Sequence, residues 1–275
     1  MTFHWNVSPE ILSLGPLVIR WYGLMFLLGF SLGYYLMVKV CRWEGMPIEK
    51  LDSLLVHLVL GTTIGARLGH CLFYDPVHYL THPLEILKIW EGGLASHGGS
   101  LGVIIAIWLF CRKNPEFTLM WVYDRIVIFT VMTGGFIRLG NLFNSEILGK
   151  PTGSDWGVVF SRVDAFPRHP AQVYESICYF LIFAVLFQVY LKFKEKTPRG
   201  LLLGMAFTGV FICRFFIEFL KENQESFENQ MTLNMGQLLS LPFIVVGIIL
   251  IVKSGKTPAE SPAPASSLSK KKSKS

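Results

Sequence analysis

Seven blocks of nearly uninterrupted apolar residues dominate this chain, at roughly 17–40, 52–73, 94–111, 119–137, 172–191, 201–220 and 236–252. Most approach the ~20 residues that an α-helix needs to cross the hydrocarbon core of a bilayer. No water there can satisfy a backbone N–H or C=O, so a spanning segment must pair its polar groups within itself, as a helix does. Charged residues make up only 16% of the chain and hydrophobic ones 52%, whereas a soluble domain usually carries about 25% charged residues. The mean hydropathy is +0.47. The sequence thus predicts an all-α polytopic integral membrane protein of about seven transmembrane helices.

The net charge of +6 is no sign of a nucleic-acid partner, because the basic residues gather in short segments between the apolar blocks and in the C-terminal tail. That is the pattern of cytoplasmic loops. Lys39, Arg42 and Lys50, then Arg112 and Lys113, then Lys192, Lys194, Lys196 and Arg199, then Lys253 and Lys256 occupy one set of connections. The opposite set holds Lys88, Arg138, Lys150, Arg162, Arg168 and Lys221. Seven crossings then place the N-terminus outside and the C-terminus in the cytoplasm. Met1–Pro16 has no basic region ahead of its first apolar stretch, so the first helix is expected to serve as its own insertion signal.

Two regions follow from this reading: a membrane-embedded part, 1–253, and a basic tail, 254–275. The tail is rich in Pro, Ala, Ser and Lys and is expected to be disordered. The five cysteines, Cys41, Cys71, Cys111, Cys178 and Cys213, lie in or beside apolar blocks with no C-x-x-C pair. That excludes a disulfide framework or a zinc site as the organising feature.

Ionisable groups are costly inside a membrane and are candidates for function by default. Arg20 and Tyr22 stand near the outer end of the first block, Arg67 late in the second, and His97 at the start of the third. Arg138 follows the fourth, and Arg214 lies in the second half of the sixth with Glu218 one turn later. With the N-terminus outside, all of them fall at one leaflet. Guanidinium groups stay charged and grip phosphate with a planar fork. Arg138, Arg214 and Arg67 together could hold the phosphate of a lipid head group. The alternative is that they are structural ties to Glu146, Glu218 or backbone carbonyls. His97 precedes Gly98 and Gly99, which permit close approach of a lipid or peptide, and an imidazole accepts a proton near neutral pH.

Residues 138–149, RLGNLFNSEILG, read as a polar loop directly after a span. Asn141 and Asn144 offer amide donors and acceptors, Glu146 can orient an arginine, and Gly140 and Gly149 suit tight turns. The segment Pro167–Glu175, PRHPAQVYE, enters the fifth span with Gln172 and Glu175 facing the interior or interface, and Arg168 and His169 placed for head groups or for interfacial anchoring.

These elements, IRWYGLMF, SHGGSLG, RLGNLFNSEILGK, RHPAQVYE and RFFIEF, occur in the order seen in the prolipoprotein diacylglyceryl transferases, and the chain resembles that family over roughly residues 1–253. The RxGNxxNxExxG pattern carries the resemblance. The chain departs from the family at Ile137 and Ser145, where Gly is common, at Leu142, where Phe is usual, and at Val210, where some members carry Tyr. The resemblance implies transfer of the diacylglyceryl group of phosphatidylglycerol to the thiol of a lipobox cysteine in a secreted precursor, with no metal or organic cofactor. His97 is then the candidate base, Arg138 and Arg214 stabilise the departing phosphate, and Tyr22, Asn141, Asn144, Glu146, Gly149 and Arg67 bind substrate. The competing reading is a transporter or flippase of an anionic lipid or metabolite, using the same arginines.

Overall fold

The structure, a computed structural model, describes residues 1–15, 17–89, 92–223, 228 and 230–256. The tail expected to be disordered lies outside the described residues from 257 onward; Ser254 closes the last helix. Helices α1 (Trp21–Trp43), α2 (Glu49–Phe73), α4 (Ser96–Lys113), α5 (Leu119–Asn144), α6 (Ala171–Phe193), α7 (Leu201–Ile217) and α8 (Met235–Ser254) stand where the apolar blocks are, and a short α3 (Pro76–Thr81) follows α2. Six of them are long and apolar enough to cross a membrane: α1, α2, α5, α6 with its 3₁₀ extension, α7 with its own, and α8. Helix α4 is not among the six: it opens on Ser-His-Gly-Gly and ends on Arg112 and Lys113. Large side chains such as Leu27, Val56, Leu181 and Val252 stay exposed. Such an apolar exterior suits lipid, not water.

The helices are accompanied by short strands. β1 (Thr2–Trp5) pairs in parallel with β4 (Gly157–Phe160), which pairs antiparallel with β5 (Pro167–Arg168). β2 (Glu10–Leu14) and β3 (Leu17–Arg20) form a separate hairpin. The hairpin moves the start of the first span from 17 to Trp21, so Arg20 lies in a strand and not in the helix; it is exposed and reaches Glu10 at 3.9 Å. The fourth span departs from expectation in the other direction. Helix α5 does not stop near 137 but carries Gly134 and Gly135 in its interior and runs to Asn144, so that Arg138 and Asn141 are helical. The two glycines are seats: a Cβ on Gly134 would lie 3.1 Å from Cδ2 of Tyr179, and one on Gly135 would lie 3.0 Å from Phe180. Ser176 Oγ donates to the Gly135 carbonyl at 3.0 Å beside them.

The chain divides into two compact units, Met1–Val40 with Tyr123 onward, and Cys41–Val122. In the second unit α2 and α4 meet backbone to backbone. A Cβ on Gly98 would fall 2.2 Å from the Gly65 carbonyl oxygen, and one on Gly102 would fall 1.9 Å from that of Gly61. Small residues at this spacing are what membrane helices use to approach closely. The Trp121 indole donates to Glu44 at 2.7 Å, next to a buried stack of Phe110 and Phe117.

In the first unit, Asp124 of α5 caps α7: its carboxylate accepts from the amides of Gly200 at 2.7 Å and Leu203 at 2.9 Å. The N-cap position itself is Gly200, which has no side chain to offer and sits at φ +77. The neighbouring helix therefore supplies the acceptor that the orphan N–H groups of α7 need. Helix α8 caps itself through Asn234 and Gln237 in a reciprocal box.

Candidate functional site

The polar groups of the first unit gather at one end of its helices: the last turns of α5 and α7, the first turns of α6 and α8, and the first turn of α1. Antiparallel neighbours joined by loops bring those ends together. Arg138 faces α6, where its Nε lies 2.9 Å from Glu175 Oε2. The Glu175 carboxylate is fully buried and also lies 3.6 Å from Lys221 Nζ. Lys221, 1% exposed, donates to Glu218 Oε2 at 2.9 Å. Glu218 fits there because Gly236 opens α8; a Cβ at that position would meet its carboxyl carbon at 2.6 Å. Buried charges are tolerated only when compensated, and here Arg138, Glu175, Lys221 and Glu218 compensate one another in sequence.

A second chain of bonds leaves Arg138 in the other direction. Its Nη1 donates to Asn141 Oδ1 at 3.2 Å. Asn141 Nδ2 donates to one oxygen of Glu146 at 3.3 Å, and Asn144 Nδ2 donates to the other at 3.1 Å. The i, i+3 spacing of Arg138 and Asn141 puts both on one helix face. Glu146 does not orient the arginine, contrary to expectation; Glu175 does, and Glu146 collects the two amides. Gln172 Nε2 holds the Glu146 backbone carbonyl at 2.6 Å. The turn that carries Glu146 is left-handed on both sides, at Ser145 (φ +55) and Ile147 (φ +56). For a β-branched residue this conformation is an outlier and stores strain. The segment is pinned by Arg162, whose Nη2 donates to the Phe143 carbonyl at 2.7 Å and to Ser145 Oγ at 2.9 Å.

Tyr22 packs its ring against the α5 backbone at Gly140, where a Cβ would lie 2.9 Å from Tyr22 Cδ2. Trp21 stacks on Phe143 with centroids 4.7 Å apart. Gly149 takes part through its backbone: it bridges to Lys221, and a Cβ there would collide with the His169 carbonyl at 2.2 Å. Arg214 stands half-buried on α7, and among the described residues it makes no ion pair. Both Arg138 and Arg214 act electrostatically on the buried Tyr179, so the two arginines share one neighbourhood. Tyr179 and Lys221 are the participants that sequence reasoning missed. Lys221 had been set among loop cations, and an apolar run gives no sign that one of its tyrosines faces an arginine.

Arg168 does not meet head groups. It is buried, and its guanidinium is committed to Asp164 through Nε and Nη2, to the Gly149 carbonyl at 3.0 Å and to Glu222 at 2.6 Å. The hydrogen bonds from Arg168 hold the Asp164 carboxyl below the usual carboxylate range.

Arg67 and His97 belong to the second unit. Arg67 is 4% exposed. Its guanidinium donates to the carbonyls of Ile86 at 2.9 Å, Gly92 at 2.7 Å and Glu85 at 2.6 Å, which fastens the excursion after α2. His97 is exposed in the first turn of α4. Gly98 serves the packing of α4 on α2, with the space beside it filled by Gly65 and Gly69 and not open to a substrate.

A family model described as prolipoprotein diacylglyceryl transferase matches residues 9–253. A Tolumonas auensis protein named phosphatidylglycerol–prolipoprotein diacylglyceryl transferase is 51% identical, covering 93% of this chain and 98% of its own length. Proteins of the same name are 51% identical in Chloroherpeton thalassium, over 92% of this chain and 94% of theirs, and 46% identical in Bacteroides fragilis, over 93% and 96%.

Proposed function

Because this chain belongs to the prolipoprotein diacylglyceryl transferase family, we propose that it moves the diacylglyceryl group of phosphatidylglycerol onto the lipobox cysteine thiol of a prolipoprotein. It is a multi-pass membrane protein; we place it in the bacterial inner membrane, with the Arg138 end of its helices toward the outer leaflet. The transporter reading finds no support in the relatives.

One observation carries the assignment of the site. Beside Tyr179, Arg138 is paired with the buried Glu175, whereas Arg214 makes no ion pair among the described residues. A guanidinium not spent on a carboxylate can meet the negative charge of a phosphodiester.

In the reaction the sulfur attacks the glyceryl carbon that bears the phosphate. A C–S bond forms, the C–O bond to phosphorus breaks, and glycerol phosphate leaves with the electron pair. The thiol proton passes to a base, for which His97 remains our candidate. Arg138 and Arg214 stabilise the charge gathering on the departing phosphate, which is worth most where water is excluded. Asn141, Asn144 and Glu146, fixed by their mutual bonds, and Tyr22 against Gly140, orient the head group. Arg67 acts as a structural tie on this reading.

Purified protein in detergent, with phosphatidylglycerol as the only lipid, should raise the mass of a synthetic lipobox peptide by one diacylglyceryl unit. A peptide mass unchanged with folded protein overturns the proposal.

A further inference from the structure

We propose that the phenol of Tyr179 is a third phosphate ligand beside Arg138 and Arg214, and so a further catalytic residue; this rests on the transferase reading above. Tyr179 is 7% exposed and follows Glu175 by one turn of α6, so both present to the same face of α5. Its ring lies on Gly134, one turn before Arg138, with Cδ2 3.1 Å from where a Cβ would be. A side chain there would press on the ring, and the seat sets the height of Tyr179 on α5. There the phenol shares a face with Glu175, which lies 2.9 Å from Arg138 Nε, and both Arg138 and Arg214 act electrostatically on it.

The chemistry follows from what each group can give. A phenol both accepts and donates. Its acceptor side suits the Arg138 guanidinium, which can only donate. The nearest anion, Glu175, is ion-paired to Arg138 and Lys221, and its oxygens accept no hydrogen bond from the phenol. The phenolic O–H is left to donate. Two guanidinium groups polarise it, and an anion drawn between them finds a third donor already in place. A ligand to the departing phosphate should strengthen as charge accumulates there, which lowers the barrier more than it tightens lipid binding.

Tyr179→Phe removes only the hydroxyl. In the lipobox-peptide assay it should lower kcat roughly 10- to 100-fold, the scale of a hydrogen bond to a charged group, with the KM for peptide unchanged. A wild-type kcat in Tyr179→Phe, while Arg138→Ala and Arg214→Ala are inactive, overturns this role and leaves the transferase reading standing. If wild type itself transfers nothing, the transferase reading fails first. Should Tyr179→Phe fold poorly, 3,5-difluorotyrosine at 179 keeps the shape and acidifies the phenol. Its activity should fall at alkaline pH where wild type persists, because a phenolate cannot donate. An identical pH profile overturns the inference. The facing groups, Arg138, Arg214 and Glu175, are the same in both proteins.

Discussion

Arg67 and Arg138 are both arginines held within apolar helices, and they are used in opposite ways. In the α2–α4 unit, Arg67 spends its donors on the carbonyls of Ile86, Gly92 and Glu85, neutral acceptors that belong to the chain itself. In the α5–α6–α7 unit, Arg138 is held by the Glu175 carboxylate and the Asn141 amide, each of them held in turn by something else. A guanidinium saturated by backbone closes a turn. One poised among titratable and amide side chains, beside an Arg214 that makes no ion pair among the described residues, can receive an anion. The presence of an arginine at membrane depth does not distinguish these cases; its partners do.

Paired substitutions put the contrast under most strain. Arg138→Ala should cut transfer per folded molecule about 10²–10³-fold, the cost of losing a group that stabilises developing charge, and should also lower the melt because buried Glu175 loses a partner. Arg67→Ala should lose about 1–3 kcal/mol of stability as buried carbonyls go unpaired, with kcat in the surviving protein close to wild type. Activity measured beside a thermal melt decides it; a dead but fully stable Arg67→Ala protein would erase the distinction.

Next in size is the packing of the glycine-lined pair. Gly98→Val drives a side chain into the Gly65 carbonyl and should cost about 1–3 kcal/mol or more by overpacking. Its melt should shift more than that of Val substituted for exposed Ile104 on the same helix. Equal melts would mean that α2 and α4 are not in such contact.

A smaller effect belongs to the loop that carries Arg168. The Asp164 carboxyl is held below its ordinary range by Arg168, so its contribution to stability is complete above that range and is lost as pH falls through the depressed value. The thermal midpoint should drop on acidification, and Asp164→Asn should flatten that part of the curve. The smallest change is Ser145→Gly. Relief of a left-handed serine is worth about 1 kcal/mol and should raise the midpoint slightly without altering transfer. A lowered midpoint would show that Ser145 Oγ, the acceptor for Arg162, outweighs the backbone.

Much of this was legible in the sequence, and the exceptions share a cause. The apolar blocks gave the helices because hydrocarbon leaves the backbone few other conformations. The closeness of Arg138, Asn141, Asn144 and Glu146 along the chain gave the local cluster, although the stretch read as a loop and the structure makes most of it the end of α5. The end of α5 was misread because the polar run from Arg138 onward looked like a loop, whereas it continues the helix to Asn144, and Gly134 and Gly135 within it are the surface on which Tyr179 and Phe180 rest. Gly98 was misread too, as a passage for substrate. A glycine in a sequence states only that a side chain is missing there; which neighbour uses the space is settled by packing.

By itself, then, the sequence determined a helical membrane protein of this family, with Arg138, Asn141, Asn144 and Glu146 in one short stretch. Only the tertiary structure decided that Glu175 holds Arg138, that Lys221 is buried between two carboxylates, and that Tyr179 lies in reach of both Arg138 and Arg214. The physical reason is range: periodicity fixes which residues share a face of one helix, whereas partners across helices depend on how closely, and at what height, two faces meet.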